Sequence, residues 1–109
     1  MRRQFAFKKQ IGMHYVYVLQ SKDEKKVLYV GYSPDVYKRL AFHNSEKNKG
    51  WTRTRKWELV YFEAYRDKRD ALTRERKLKQ DGRSKTHLRK RIIHSLEGAG
   101  KKSAGEAHD

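Results

Sequence analysis

The sequence predicts an α/β domain: a small three-stranded antiparallel sheet flanked by helices, in the order β-β-α-β-α-α. Three observations carry this. Two β-branched, aromatic runs, HYVYVLQS (14–21) and VLYVGY (27–32), flank a short polar turn, KDEKK, as hairpin partners do. A third such run, WELVYFEAY, occupies 57–65. Between and after these runs, apolar residues recur at helical rather than alternating spacing.

The elements follow in order. A chain of 109 residues has room for one domain, placed at 13–96 between a basic arm (1–12) and a tail (97–109). The arm, MRRQFAFKKQIG, admits several readings: a mobile segment, an added strand, an upstream extension with Met13 as a second start, or a short organellar presequence. The first strand is apolar on both faces through Leu19, the profile of a central strand covered on two sides. Gly31 weakens the second strand, so it marks a bend or a close backbone approach. Ser33 fits an N-cap, with Pro34 at the first helical position and Asp35 in the first turn of a helix running to about Asn44. Val36, Leu40 and Ala41 form its packing face. Residues 45–56 read as a basic loop. The third strand alternates imperfectly, with Leu59, Tyr61 and Glu63 to one side and Val60, Phe62 and Ala64 to the other. Asp67 caps a second helix, 68–80, which Asp81-Gly82 stops. A third helix is expected over about 84–95, with Leu88, Ile92, Ile93 and Leu96 as its apolar positions. The tail has no periodicity and is expected to be disordered.

Charge narrows the partners. Lys and Arg number 28 against 13 Asp and Glu, a formal net charge of +15. Such a field draws polyanions, nucleic acid first, with membrane surfaces and acidic proteins as rivals. No apolar run reaches the roughly 18 residues of a membrane span, so no membrane insertion is expected. The absence of cysteine excludes disulfides and thiolate metal sites and fits a reducing cytosol. With no secretory hydrophobic segment near the N-terminus, a cytoplasmic protein is expected. Aromatic residues at 12% are enough for a core, which sets the chain apart from a disordered basic tail.

Several polar side chains stand where packing alone would not put them. Glu75 lies three or four residues from Ala71, Leu72 and Leu78, in the stripe that should face the sheet. Burying it unpaired is expensive, so it is salt-bridged to a nearby arginine, set at the edge of the face, or a metal ligand facing a cleft. Arg39 and His43, at i and i+4, form a ridge beside the first helix's packing face. They are either a solvated edge or a pair that holds a phosphate and handles its proton. Tyr15 and Tyr17 share one face of the first strand, and Tyr29 and Tyr32 flank Gly31. Two basic clusters flank Glu75: the loop 47–57, with Lys47, Lys49, Arg53, Arg55 and Lys56 beside Trp51 and Trp57, and the run from Arg76 to Arg91, which includes Lys79, Arg83 and Lys85. Trp51 is placed to stack on a base, whereas Trp57 reads as the edge of the third strand's core.

Taken together, Val16-Tyr17-Val18, Tyr29-Val30-Gly31 eleven residues on, then Arg39, His43 and Glu75 resemble the GIY-YIG nuclease family. The phrases GYSPDVYKRLAFHN, KGWTRTRKWELVYFEAY and DALTRERKLK are similar to its small stand-alone bacterial members, and the likeness spans about residues 13–94. The family also includes phage homing endonucleases, some restriction enzymes and the N-terminal domain of the nucleotide-excision-repair nuclease. The resemblance implies phosphodiester hydrolysis with one divalent ion, Mg²⁺ or Mn²⁺, held by Glu75. By the same resemblance Arg39 neutralises the scissile phosphate. Tyr17, helped by His43, activates or positions the attacking water in a proton relay. Tyr29 contacts the phosphate or orders the site, and Gly31 lets the backbone bend into the cleft. Gly31, Trp51, Arg53, Arg55, Lys56, Lys79, Arg83 and Lys85 are the expected nucleic-acid contacts. The chain departs from the family pattern at Val16, where a glycine is usual, at Val18 and Val30, where isoleucine is, and at Tyr32, where some members have lysine. A late asparagine of some members has no match after Asn48. The expected partner is DNA rather than RNA, read by shape rather than sequence because no base-reading element is evident. The chain is expected as a monomer or weak dimer. The competing function is a non-catalytic nucleic-acid-binding module on the same fold.

Overall fold

The computed structural model describes residues 12–98, with the Trp51 side chain outside that description. Strands β1 (His14–Ser21), β2 (Leu28–Ser33) and β3 (Trp57–Tyr65) form one antiparallel sheet in the order β2-β1-β3. The helices are α1 (Val36–His43), α2 (Lys68–Gln80), α3 (Gly82–Arg91) and α4 (Ile93–Gly98), with a 3-10 turn at Trp51–Thr54. The α/β architecture and element order are those the sequence predicts.

Strand β1 is central and covered on both faces, as its unbroken apolar run requires. Val16 and Val18 face Val30, Ala71, Leu78, Leu88 and Ile92 in a core under α2 and α3. Tyr17 and Leu19 face Val36 and Trp57 in a second core under α1, with Tyr29, Leu40 and Leu59 packed around it. The two tyrosine-bearing strands therefore deliver Tyr17 and Tyr29 to the same side of the sheet.

Local chemistry moves several boundaries. Ser33 is not the N-cap of α1. It is still in β2, opposite Tyr15, and its hydroxyl accepts from the Asp35 amide. Asp35 takes the cap instead, accepting from the Lys38 amide at 3.0 Å, so Pro34 precedes the helix. Ala41 is exposed rather than packed. The buried positions of α1 are Val36 and His43, with Leu40 between them, so the imidazole occupies the core-facing stripe. Strand β3 carries a bulge opposite Val18/Leu19: Tyr61 pairs with Val18 and Leu59 with Leu19, leaving Val60 without a cross-strand partner. The bulge puts Val60 and Tyr61 against one core and Leu59 against the other, so Leu59 does not share a face with Tyr61 and Glu63.

At the far end, Asp67 caps α2 by accepting from the Arg69 amide, as expected. Asp81 ends α2 and starts α3, its carboxylate accepting from the Arg83 amide and the Ser84 hydroxyl. The single helix expected over 84–95 is interrupted at Ile92, leaving Ile93 45% exposed instead of packed. Leu96–Gly98 lie in α4, where a disordered tail was expected, and residues 99–109, like 1–11, lie outside the described residues. One unexpected network fastens β3 to α2. Glu63 accepts from the Arg74 guanidinium (2.9 Å) and from the hydroxyls of Tyr61 and Tyr65. Burial pushes the Glu63 carboxyl up, but these donors outweigh it and hold it below the ordinary carboxylate value.

Candidate active site

Tyr17 is the centre of the site. It is 1% exposed, and its ring lies across the backbone of Gly31, its cross-strand partner. A Cβ at position 31 would fall 2.5 Å from Tyr17 Cζ. Glycine is therefore required here by close approach, one of the two readings its strand cost suggested. The Tyr17 hydroxyl lies 2.9 Å from His43 Nε2. Tyr29 completes an aromatic group, its ring centroid 4.9 Å from that of His43 and 6.2 Å from that of Tyr17.

Charge reaches this group from two helices. Burial pushes the Tyr17 phenol up to about 12, while the Arg39 guanidinium beside it favours the ionised form, and Tyr29 and Glu75 oppose it. Arg39 is exposed on α1, four residues before His43, with its guanidinium 5.0 Å from the Phe42 ring centroid. Glu75 projects from α2 with its side chain 20% exposed, and its carboxylate meets Lys79 Nζ at 3.2 Å. That ammonium lies 5.3 Å from the Tyr29 ring centroid. The Tyr17 phenol of β1 thus has Tyr29, Arg39, His43 and Glu75, from β2, α1 and α2, around it.

His43 is held from behind. Its Nδ1 lies 3.0 Å from Thr52 Oγ1, and Asn48 Nδ2 donates both to Thr52 Oγ1 (2.7 Å) and to the His43 carbonyl (3.0 Å). The Trp57 indole donates to the Thr52 carbonyl, and Asn44 bonds both the amide and the carbonyl of Trp57. Thr52, Asn48 and Asn44 were not anticipated. Asn48 and Thr52 fall in a loop without periodicity and Asn44 at the C-cap of α1, where polar residues carry no pattern that marks which ones turn inward.

Burial, and then Arg39, hold the His43 imidazole below its ordinary value, so the folded protein carries it neutral at pH 7. An unfolded histidine takes its proton near pH 6.5. Below that pH the unfolded chain binds a proton that the fold refuses, and stability falls until the folded His43 itself titrates. Urea unfolding at pH 7.5 and 5.5 is expected to show a smaller loss in His43→Asn than in the parent; equal losses would contradict a neutral buried imidazole.

Basic residues adjoin this group at His43 and at Tyr29. Arg53, Arg55 and Lys56 line a groove with His43 and Asn48, and Lys79, Lys85 and Arg89 line another with Tyr29. Arg55 is tied to Glu24 at 2.9 Å, and Arg53 Nη1 donates to the Gly50 carbonyl, whereas Lys56, Arg83 and Lys85 are exposed. Gly31 is buried under Tyr17, so it shapes the site rather than offering surface.

Residues 13–91 match the GIY-YIG catalytic domain, and the chain belongs to that family of nucleases. Its similar relatives are small stand-alone proteins named UPF0213. One from Bacillus pumilus is 43% identical over 76 residues, covering 69% of this chain and 76% of the relative. One from Staphylococcus haemolyticus is 40% identical over 70 residues, covering 63% and 83%. One from Haloquadratum walsbyi is 40% identical over 73 residues, covering 66% and 80%. No solved structure is significantly similar.

Proposed function

We propose that this protein is a metal-dependent endonuclease that hydrolyses phosphodiester bonds in DNA, selecting by structure rather than sequence. The observation that supports it most is the convergence of a buried Tyr17–His43 pair with Tyr29, an exposed Arg39 and a half-buried Glu75, flanked by two basic surfaces. The guanidinium would neutralise the scissile phosphate. The 2.9 Å bond joins the two groups that would handle the proton of the attacking water. Tyr29, beside both rings, would order the site against the phosphate.

A divalent ion suits the residues present under one condition. Among the described residues, no three His, Cys, Asp or Glu side chains gather into a cage. A hard ion that keeps several waters and shares phosphate oxygens fits a single carboxylate, Glu75. When bound it would stabilise charge on the phosphate as a Lewis acid. In the free protein Lys79 already occupies the Glu75 carboxylate. Calorimetry is therefore expected to find no micromolar Mg²⁺ binding without DNA, and Lys79→Ala should tighten what binding there is. Micromolar affinity in the parent would contradict this site.

DNA is the favoured polymer, and a monomer with one site would cut one strand per encounter. Among the described residues no helix is long and apolar enough to cross a membrane, and we place the protein in the cytoplasm. Binding should be dominated by phosphate contacts. If about six are neutralised, affinity should fall about a thousandfold between 50 and 200 mM salt. A flat response would rule out such an interface. The Glu75–Lys79 pair also favours a second reading, a binding module whose carboxylate is only a structural partner. Incubating the protein with nicked, branched, single- and double-stranded DNA plus Mg²⁺ or Mn²⁺, beside Arg39→Ala, separates the two: incision lost in the variant supports the enzyme, and binding without incision supports the module.

A further inference from the structure

The groove that Lys79, Lys85 and Arg89 share with Tyr29 is also a cavity, of about 270 Å³. Its remaining wall is apolar, formed by the half-buried Leu28 of β2 with the buried Val30 and Leu88. Among the described residues no carboxylate lines it. Lys79 and Lys85 are exposed, and Arg89 is fixed by donating to the Lys26 carbonyl at 3.1 Å. A guanidinium has further N–H donors beyond that bond, and they remain for an anion. Cations set against an apolar wall suit a ligand with two parts. It carries a negative group and, joined to it, a flat body that gains by leaving water.

A nucleotide meets both demands, and the position of the cavity selects which nucleotide. Tyr29 and Lys79 belong to the cavity and to the group around Tyr17 alike. The Tyr29 ring centroid is 4.9 Å from that of His43, and Lys79 Nζ is 3.2 Å from the Glu75 carboxylate. A nucleotide seated here is therefore a neighbour of whatever phosphate lies at that group. Size narrows the choice again. Pockets for small ligands begin near about 300 Å³, so this cavity takes one base and no base pair. In an intact duplex each base is stacked and paired, and drawing one out costs both interactions. At a flap, nick or branch a nucleotide is already free of its pair, and most of that cost is gone.

We propose that this cavity is a subsite for one unpaired nucleotide of the DNA, with its base against Leu28, Val30 and Leu88 and its phosphate on Lys79, Lys85 and Arg89. The subsite gives selection by structure a physical basis: DNA that offers an unpaired nucleotide gains the apolar contact, and intact duplex gains only the phosphate contacts. Its place beside the cut rests on the nuclease reading. Capture of the unpaired nucleotide does not, because it needs no metal and no bond cleavage.

The test is an NMR titration of the methyl-labelled protein, in chelator, with dAMP, inorganic phosphate and deoxyadenosine. The expected result is that dAMP shifts the methyls of Leu28, Val30 and Leu88 and binds about tenfold or more tighter than phosphate or deoxyadenosine alone. Phosphate binding as tightly as dAMP, or shifts that spare these methyls, overturns the proposal. A second arm compares flapped with intact duplex DNA, again in chelator. The parent should prefer the flap by about tenfold. Leu28→Asn removes part of the apolar wall without adding charge, so it should erase the preference and leave duplex affinity unchanged, whereas Lys85→Ala should weaken both. A preference that survives in folded Leu28→Asn overturns the subsite. So does dAMP binding as tightly as the flap, which would make the cavity a site for free mononucleotides. Incision of flapped DNA with no methyl shifts would remove the subsite and leave the nuclease reading in place. The expected shifts with no incision on adding Mg²⁺ would refute the nuclease reading and leave the subsite standing.

Discussion

Gly31→Ala is expected to cripple both the fold and the site. The new methyl would sit 2.5 Å from Tyr17 Cζ, and the backbone beneath it is fixed by pairing with β1. The ring must move, and it is 1% exposed, packed against Leu19, Val36 and Trp57 in its core. Overpacking of this kind costs about 1–3 kcal/mol. A displacement of about 1 Å at a reacting group lowers rates by about a hundredfold. Denaturant unfolding and single-turnover incision measure the two losses. The cause is separable by a double-mutant cycle, because in a Tyr17→Ala background the three atoms nearest the methyl at position 31 are gone and its cost should fall. Additive losses would mean that Gly31 serves backbone conformation instead of ring placement.

Glu75→Ala is expected to abolish incision while leaving DNA binding intact or tighter. Loss of the carboxylate proposed to hold the ion should lower the rate at least about a thousandfold, several kcal/mol of transition-state stabilisation. Its ion pair with Lys79 is partly exposed and within one helix, and alanine is the best helix former, so the fold should change by less than about 1 kcal/mol. Binding should rise because a negative charge leaves the surface proposed to face DNA and Lys79 becomes available to phosphate. Parallel losses of binding and incision would make Glu75 a structural residue.

Much of this architecture was legible in the residue pattern, for physical reasons that also mark where legibility stopped. Strands β1 and β3 declared themselves through long β-branched, aromatic runs, and their bounds match the expected ones. Helix α2 was bracketed by Asp67 and Asp81, whose side chains accept from the amides that a helix start exposes. The start of α1 was misplaced because Ser33 and Asp35 are both good caps, and the choice was made by β2 pairing, a tertiary effect. The Val60 bulge is a matter of register, which no alternation count contains. His43 was expected on the border of the packing face because a polar residue at a core position contradicts amphipathic reasoning. Its burial is made possible by Tyr17 and Thr52, neither of which is local to it. The partner of Glu75 was expected to be a nearby arginine; Lys79, one turn along, takes the role by i,i+4 proximity.

The proposed chemistry is phosphodiester cleavage at this site with a divalent ion on Glu75. Its most direct test is the incision of end-labelled branched and nicked DNA by purified protein, with Mg²⁺ or Mn²⁺ added and then chelated, beside identically purified Glu75→Ala. Cutting is expected to stop on chelation and to be missing from the variant. Cutting that persists in Glu75→Ala, or in the presence of chelator, would contradict it.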